Sequence, residues 1–172
     1  MINIVLYEPE IPENTGNIMR TCAGTNSHLH LIEPFGFIFD EKKIKRSAAN
    51  YIDKVNYTTY LDYDDFLEKN SGDLYFFSRY GTKTYSDIDF SDPNKNIYLI
   101  FGKESTGIPK SILKNNIDNC YRIPTSINIR ALNLANCVAI VTYEALRQQN
   151  FNNLLTKDPV SYTHLTLPTN SR

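Results

Sequence analysis

The feature that most constrains the fold is the alternation of short apolar runs with segments of helical character. The apolar runs are rich in β-branched and aromatic residues, and three of the six end at Gly or Pro, which is typical of strands. The strand-like runs are residues 2–7, 28–34, 54–60, 73–79, 96–102 and 119–124. The intervening helical segments are residues 14–26, 40–51, 62–70, 109–117 and 130–149. This order predicts an α/β domain with a mainly parallel sheet and helices on both faces.

The chain length and its final segment predict the domain organisation. A chain of 172 residues is long enough for one domain with one core, which we place at residues 1–157. The remaining segment, 158–172, combines prolines and threonines without a helical period. Its "SYTHLTLPTN" resembles translated cloning or adapter sequence, and the alternative is a genuine, poorly packed extension.

Composition excludes several classes of protein. The net charge of −1 argues against a histone-like binder, although a local basic patch stays possible. No apolar run approaches the roughly 20 residues that span a bilayer, so we expect no membrane partner. Met1 leads directly into a strand-like run without a signal-peptide pattern. The three cysteines and three histidines lack metal-ligand spacing. We therefore expect a reducing cytoplasm and no metal.

Ligands of parallel sheets gather beyond the carboxyl ends of the strands, so the loops after residues 7, 79, 102 and 123 are candidate sites. In the first of them, "PENTGNIMRTC", a helix follows a strand. Asn14 could cap this helix, whose free N–H groups could hold an anion. Arg20 could reach a phosphate. The alternative is an ordinary capped helix with a surface arginine.

Two further loops are polar between apolar elements. "FGKESTGIP" contains Gly102 and Gly107, which permit close backbone approach, and Glu104, which could order the loop or bind a substrate hydroxyl. It lacks the residue order of a Walker A loop, which excludes a P-loop NTPase. The alternative is a tight turn with an exposed acid. In "IPTSINIRALNLAN", Asn133 and Asn136 lie at the start of an apolar helix. Short amide side chains can form hydrogen bonds with the backbone groups of a loop, but this role explains asparagines at the start of an apolar helix less well.

Two basic segments are candidate RNA contacts. Four cations fall within five residues on an otherwise near-neutral chain, and a second segment mixes cations with an aromatic ring, as phosphate contact and stacking require. An ordinary solvated face is the alternative for each. The predicted RNA-binding residues are Lys42, Lys43, Lys45, Arg46 and Arg79.

Taken in order, three segments resemble the SPOUT class of RNA methyltransferases, in its TrmH-type group. They are "NIVLYEPEIPENTGNIMRTCA", "LIFGKESTGIP" and "RIPTSINIRALNLANCVAIVTYEALRQ", and the resemblance covers about residues 1–150. It is greatest to the members that act on the tRNA wobble nucleotide. It implies an S-adenosylmethionine-dependent enzyme that methylates the ribose 2′-OH of nucleotide 34, a cytidine or modified uridine, in the anticodon loop.

The resemblance also implies features that the residue pattern cannot supply. Members of this class tie the C-terminal part of the sheet into a deep trefoil knot, an exception to the usual connection rules. The knot loops, here 77–82, 102–108 and 123–133, bind S-adenosylmethionine. We further expect a homodimer formed through the first and last helices, with the active site close to the subunit interface.

Individual residues follow from the motif matches. The residues expected to hold the cofactor, largely through the backbone, are Phe77, Gly102, Ile123, Ala131 and Leu132. The residues on the catalytic pattern are Asn14, Arg20, Glu104 and Asn133. Many relatives carry serine where this chain has Ala131, so a serine hydroxyl is not essential here.

The expected role of Arg20 has two readings. In the resembled family this arginine is proposed to activate the ribose hydroxyl, but a guanidinium stays protonated in proteins. Either its surroundings deprotonate it, or it stabilises the developing alkoxide while water or phosphate accepts the proton. The second reading is favoured.

Three functional alternatives remain open at this point. The enzyme could methylate another RNA, such as ribosomal RNA. The chain could also be a non-catalytic RNA- or nucleotide-binding α/β protein. An NAD-type Rossmann enzyme is disfavoured, because the G-x-G-x-x-G fingerprint is missing after the first strand.

Overall fold

A computed structural model describes residues 1–48 and 50–159, apart from the side chains of Lys45 and Ser47. The strands are β1 (Ile2–Tyr7), β2 (His28–Ile32), β3 (Tyr57–Tyr60), β4 (Asp73–Phe77), β5 (Lys83–Thr84), β6 (Ile97–Phe101) and β7 (Cys120–Arg122). The helices are α1 (Pro12–Thr25), α2 (Glu41–Ser47), α3 (Tyr63–Lys69), α4 (Lys110–Asn115) and α5 (Leu134–Gln148). Short 3₁₀ turns lie at Ile52–Lys54, Tyr85–Asp87 and Ile117–Asn119.

All seven strands form one sheet in the order β3-β2-β1-β6-β4-β7-β5. Each of the six strand pairings is parallel. The predicted mainly parallel sheet is therefore confirmed, with β5 as a strand that the sequence pattern did not predict. The strand order reverses between β1 and β6, the position where ligands of open α/β sheets bind beyond the carboxyl ends.

Alternate residues of the central strands enter two separate cores. Ile4 and Leu6 face a large cluster, whereas Val5 faces a smaller one on the other side of the sheet. In β6, Leu99 and Phe101 belong to the large cluster. The central strands are apolar throughout because both faces are covered, which confirms the predicted helices on both sides.

The helices divide between these two faces. Apolar residues of α1, α2 and α5 fill the large cluster, and Phe66 of α3 and Leu113 of α4 fill the smaller one. Helix α5 packs on β1, β6 and α1 through buried Val138 and Val141. Each such side chain contributes roughly 1.5–3 kcal/mol on burial. Much of the apolar character of α5 therefore serves the core of its own chain.

Two helix starts differ from the predictions. Helix α1 begins at Pro12, with Ile11 as an N-cap that makes no side-chain bond, so the prediction that Asn14 caps it is wrong. Proline suits a first helical position because its missing N–H has no intrahelical partner there. Helix α5 begins at Leu134 rather than at residue 130, because Asn133 is the N-cap and accepts a hydrogen bond from the N–H of Asn136.

The connection from β7 to α5 sets the geometry of the site. Strand β7 pairs with β4 and β5, whereas α5 packs on β1 and β6. Residues 123–133 must therefore return across the carboxyl ends of β4 and β6. No helix within residues 1–48 and 50–159 is long and apolar enough to cross a membrane. Most of the tail, residues 160–172, lies outside the described residues.

Candidate functional site

Three of the predicted cofactor residues meet at the carboxyl edge of the sheet. Phe77 ends β4, and the strand register pairs it with Phe101 of β6 and Tyr121 of β7. Its ring stacks on Phe101 with centroids 5.0 Å apart. Gly102 directly follows β6, and Ile123 directly follows β7. Both strands neighbour β4 in the sheet, so both residues lie beside Phe77.

The segment after β6 closes on itself at Gly102. The Gly107 N–H donates to the carbonyl of Lys103 at 2.8 Å, and Gly107 has a positive φ of 73°. A Cβ on Gly102 would lie 2.1 Å from the carbonyl carbon of Gly107, so only glycine permits this approach. The tight turn that the sequence suggested is present, and Glu104 lies within it.

Glu104 holds the chain that leads into α1. Its carboxylate accepts hydrogen bonds from the N–H groups of Glu10, at 2.8 Å, and Ile11, at 3.1 Å. The Asn14 side-chain amide donates to the same carboxylate at 3.4 Å. The predicted anion near the start of α1 is thus a carboxylate of the protein itself. Charge-assisted bonds of this kind are about twice as strong as neutral ones.

Asn14 continues this network to the third segment. It is buried, and its carbonyl oxygen accepts a hydrogen bond from the Asn133 amide at 3.1 Å. Asn133 also caps α5, so one side chain fixes both the end of the 123–133 loop and the start of the helix. Three of the four predicted catalytic residues therefore form one chain of contacts, Glu104–Asn14–Asn133, which we call the motif network.

A second set of contacts ties the same two loops together in the opposite direction. The Glu10 carboxylate accepts from the N–H of Ser105 at 3.0 Å and from its hydroxyl at 2.6 Å. These bonds hold the pKa of Glu10 below its ordinary value. Two residues before Ser105, Lys103 donates to Glu8 at 3.1 Å, which raises the pKa of the lysine. Side chains from both loops therefore take part in the contacts that hold the loop after β1 against the loop after β6.

Arg20, the fourth predicted catalytic residue, does not join the motif network. It lies six residues beyond Asn14, about 9 Å further along the axis of α1. Its side chain is exposed, and its Cζ lies 5.8 Å from the centroid of the Tyr51 ring. This contact leaves its N–H groups available for a ligand, since no described residue forms a hydrogen bond or ion pair with them.

The surroundings of the predicted cofactor residues suit a purine nucleoside. Ile123 and Leu132 are half-buried, and between them Ile127 is fully exposed and Ile129 is 48% exposed. Small-molecule sites are mainly apolar with a few polar groups, and these side chains offer apolar surface beside exposed loop backbone. Ala131 is exposed, so its backbone is open to a ligand although its methyl group offers no hydrogen bond. The residues present therefore fit S-adenosylmethionine.

The predicted RNA-binding residues fall into two places. Lys42, Lys43 and Arg46 are exposed on α2, while the side chain of Lys45 lies outside the described residues. Helix α2 packs on α1, and Tyr51, which contacts Arg20, follows it closely in the chain. Arg79 lies instead in the loop after β4. The cations of α2 are thus near the Arg20 side of α1, and Arg79 is on the cofactor loops.

The sequence of the chain matches one family over most of its length. A sequence profile of the SpoU rRNA methylase family matches residues 1–143. The chain belongs to the SpoU methylase family. Enzymes of this family use S-adenosylmethionine, and no metal-binding group of His, Cys, Asp or Glu occurs within the described ranges of this chain. The SpoU match covers the first two segments on which the resemblance to the SPOUT class rests, and the third segment as far as residue 143.

Individual relatives extend over almost the whole chain. A Listeria monocytogenes protein with the provisional name tRNA (cytidine(34)-2′-O)-methyltransferase is 55% identical over 89% of this chain and 91% of its own. An Escherichia coli protein named tRNA (cytidine(34)-2′-O)-methyltransferase is 42% identical over 92% of this chain and 100% of its own. A solved structure described as giving insights into 2-OH methylation of C/U34 on tRNA is similar with a TM-score of 0.81, at 36% identity over 88% of this chain and 97% of that one.

Sequence reasoning missed the residues that position the site. Glu8, Glu10 and Ser105 contact the opposite loop, and Tyr51 contacts Arg20. A signal was available for the first two, because acidic residues directly after a buried parallel strand lie at the edge where ligands bind. Nothing in the sequence pattern indicated which residues of the other loop they would meet.

Proposed function

We propose that this SpoU-family protein is the S-adenosylmethionine-dependent methyltransferase of tRNA nucleotide 34, acting on the ribose 2′-OH of a cytidine or modified uridine. The motif network carries the proposal, because it joins the three segments by side-chain contacts at the edge where a substrate would bind. The relatives that match almost the full chain bear the name of this activity.

The protein must align three atoms and help a proton to leave. The cofactor, when bound, supplies a methyl group that is already activated by its sulfonium. Correct positioning of reactants can contribute up to about 7–11 kcal/mol, so fixed loops are the main catalytic device. Phe77, Gly102, Ile123, Ala131 and Leu132 would hold the cofactor, chiefly through the backbone groups of their loops.

The motif network has a positioning role in this scheme. Both oxygens of Glu104 already accept hydrogen bonds from backbone N–H groups, so the carboxylate is engaged before any substrate arrives. Through Asn14 and Asn133, hydrogen bonds link this carboxylate to the start of α5. We assign these three residues to the alignment of the cofactor loops with the bound ribose.

Arg20 has the exposure and charge to act on the ribose oxygen itself. A guanidinium is a fixed cation with five N–H donors, and it stabilises an oxyanion without accepting its proton. Water or a substrate phosphate would then take the proton from the 2′-OH. The Tyr51 ring supports the guanidinium from one side and leaves its donors directed elsewhere.

The decisive experiment is methylation of total tRNA from a strain that lacks this activity, followed by mapping of the product. We expect a 2′-O-methylribose at position 34. A methylated base, or a product at another position or only on ribosomal RNA, would refute the assignment. Calorimetry with S-adenosylhomocysteine provides an independent check, because absence of binding would contradict any methyltransferase.

We also propose that the chain is knotted between β4 and α5. Strand β7 pairs with β4 and β5 whereas α5 packs on β1 and β6, so the loop 123–133 returns past the carboxyl ends of β4 and β6. The loop after β4 lies close against β7, because a Cβ on Gly81 would lie 2.4 Å from the carbonyl carbon of Tyr121. This close passage of two separate segments supports a threaded arrangement. A crystal structure that traces residues 123–133 outside the loop 78–82 would refute it.

A homodimer is the expected assembly. Asn136, Ile140, Tyr143 and Arg147 follow each other at spacings of four, three and four residues, so they share one face of α5. Tyr143 is 48% exposed, while the opposite face of the helix is buried in the core. An exposed ring on an otherwise apolar helix supports association through this face, with α1 beside it.

Light scattering at micromolar concentration tests the dimer. Tyr143→Glu should convert it to a monomer, because a carboxylate would be buried without a partner. Leu67→Glu on α3 is the matched control, since Leu67 is 39% exposed on the other side of the sheet. A monomeric parent protein, or equal effects of both changes, would contradict the interface. A cytoplasmic location follows from the tRNA substrate and is part of the same proposal.

A further inference from the structure

An exposed tyrosine, Tyr80, has three cations around it, of which only Arg79 has so far been named as a candidate RNA contact. Arg79 and Tyr80 are in the loop after β4, Lys110 is the first residue of α4, and Arg130 precedes the proposed cofactor residue Ala131. We call Arg79, Tyr80, Lys110 and Arg130 the Tyr80 cluster. The four residues come from three segments that meet at the carboxyl edge of the sheet.

The Tyr80 ring contacts two of these cations, Arg79 and Lys110, directly. The Arg79 Cζ lies 4.7 Å from the ring centroid, and its Nη2 donates to the phenol oxygen at 2.5 Å. The Lys110 Nζ lies 5.5 Å from the same centroid. Cation–π contacts at exposed sites contribute about 0.5–1 kcal/mol each, which is enough to favour one arrangement of two long side chains.

The backbone that carries the cluster is held firmly against β7. The Ser78 N–H donates to the carbonyl of Tyr121 at 3.0 Å, and the Arg122 Nη1 donates to the carbonyl of Arg79 at 3.1 Å. Gly81 approaches β7 so closely that a Cβ would lie 2.4 Å from the carbonyl carbon of Tyr121. The cations are therefore presented from a fixed turn rather than from a free loop.

The electrostatic environment of the cluster is positive. The hydrogen bond from Arg79 lowers the pKa of Tyr80, and the charges of Arg79, Lys110 and Arg130 lower it further. No carboxylate opposes them among the charges that act on Tyr80, and none of the ion pairs in the described parts of the chain includes these cations. On a chain of net charge −1, this is a local site for an anion.

We propose that the Tyr80 cluster binds a backbone phosphate of the RNA strand, next to the nucleotide whose ribose is methylated. The inference rests on the proposed function, which supplies an RNA strand at this edge. S-adenosylmethionine is a poorer candidate for the ligand, because its sulfonium and ammonium outweigh its carboxylate and the cations would repel it. A phosphodiester carries an uncompensated negative charge and several acceptor oxygens, which suit Arg and Lys donors.

Binding of a synthetic anticodon stem-loop RNA at several salt concentrations tests the cluster with the full-length protein. Lys110→Gln should reduce the slope of log K against log salt by about 0.7, the loss of one phosphate contact on a single strand. At 0.1 M salt this corresponds to about fivefold weaker binding. Lys114→Gln is the matched control, because Lys114 is exposed on the same helix and does not act on Tyr80.

Tyr80 itself gives a second comparison. Tyr80→Ala removes the ring that gathers Arg79 and Lys110 and should weaken RNA binding. Tyr80→Phe keeps the ring and loses only the bond to the phenol oxygen, so it should bind nearly as well as the parent protein. The affinity for S-adenosylhomocysteine should stay unchanged in Lys110→Gln and Lys114→Gln, since both lysines lie on α4 outside the proposed cofactor loops.

Three results would overturn the proposal. They are equal effects of Lys110→Gln and Lys114→Gln, no effect of Lys110→Gln, and a loss confined to S-adenosylhomocysteine affinity. Because the binding titration needs no turnover, its outcome is separate from that of the proposed function. Mapping the methylated position with the parent protein decides the latter, whatever the Tyr80 cluster does.

Discussion

Two polar networks lie apart on the same parallel sheet. The first, which we call the amino-end network because it begins at Asn3 near the start of β1, joins the Asn3 side chain to His30 of β2, at 2.9 Å, and His30 to the Tyr60 hydroxyl, at 2.7 Å. At the carboxyl end, the motif network joins Glu104, Asn14 and Asn133. Both networks contain asparagines and connect residues far apart in sequence.

The amino-end network is closed. Asn3, His30 and Tyr60 are each less than 5% exposed, and the His30 ring packs among the rings of Phe66 and Tyr98. Since Asn3 presents an oxygen to Nε2, this nitrogen donates. Burial disfavours the charged ring, so the imidazole is neutral and its Nδ1 accepts from the Tyr60 hydroxyl. Burial lowers the pKa of His30 to about 3, with a smaller contribution from His28. Every partner is satisfied within the protein, as a structural network requires.

The carboxyl-end network is open by comparison. Its bonds fix loops rather than fill a core, and the segments that it positions carry exposed side chains, among them Ala131 and Arg130. The comparison teaches that buried amides alone do not identify a site. The position of a network on the sheet decides whether it can belong to a ligand site, because only the carboxyl ends of parallel strands open into loops that can surround a ligand. Substitutions at the two ends should therefore separate stability from catalysis.

The largest effect is expected beside the carboxyl end, at Arg20. Arg20→Ala should lower kcat by about 10²–10³-fold, the usual cost of removing one donor to a developing oxyanion. The KM for tRNA should change much less. Steady-state kinetics on position-34 substrate tRNA measures both. Unchanged turnover with a large rise in KM would show that Arg20 serves RNA binding only, and Arg20→Lys should restore part of kcat.

The next effect is expected at the amino end, on stability. His30→Leu leaves the Asn3 oxygen and the Tyr60 hydroxyl without their partner, at a cost of about 2–3 kcal/mol in the free energy of unfolding at pH 7. Urea denaturation measures this, and kcat at low denaturant should stay near that of the parent. His28→Leu is the control, because His28 is half-exposed and bonds only an exposed Thr58. Equal losses of stability in His30→Leu and His28→Leu would contradict the structural role assigned to His30.

The same histidine predicts a pH dependence. The pKa of His30 is depressed in the folded protein, to about 3 from 6.5, so the unfolded chain binds the extra proton first. Its contribution to stability is complete above pH 6.5 and is lost as the pH falls from 6.5 towards 3. His30→Leu should flatten this part of the stability profile between pH 6.5 and 4. A profile parallel to that of the parent would refute a neutral, buried imidazole.

A smaller effect is expected at Glu104, where both the stability of the fold and kcat should fall. Glu104→Gln keeps the shape but replaces one accepting oxygen by a donor that faces backbone N–H groups. We expect about 1.5–2 kcal/mol lower stability and a fall in kcat, without loss of RNA affinity. Melting curves, kinetics and RNA titration on one preparation separate these quantities. Full activity with reduced stability would make the motif network purely structural, like its counterpart at the amino end.

The smallest effect is expected at Ser105. Ser105→Ala removes the hydroxyl bond to Glu10 and should raise the Glu10 pKa towards its ordinary value, 4.5. The KM for S-adenosylmethionine should rise by a few-fold, about 0.5–1 kcal/mol, because the loop after β6 is less well fixed. Thr106→Ala is the control on the neighbouring exposed residue. An equal rise in both variants would assign the effect to general loosening of the loop.

The strands and helices could be predicted because each is encoded locally. The six predicted strands and five predicted helices are present, and the errors are at their ends, as at Pro12 and Leu134. The two-residue strand β5 could not be found, since it is too short to show a period and owes its assignment to β7. Asn14 was misread for a related reason, because a cap and a buried first-turn amide look the same until the partner is known.

The sequence by itself determined the α/β class, the edge at which to search and the three segments whose order identifies the family. Those features depend on hydrophobic period, on strand termination and on residue order, all of which are local. Only the tertiary structure decided that Glu104 binds the chain before α1, that Asn14 joins Asn133, and that the Tyr80 ring contacts Arg79 of its own loop and Lys110 of α4. These partners are separated by up to 119 residues, and no local pattern specifies which of many polar side chains the packing of the sheet will bring together.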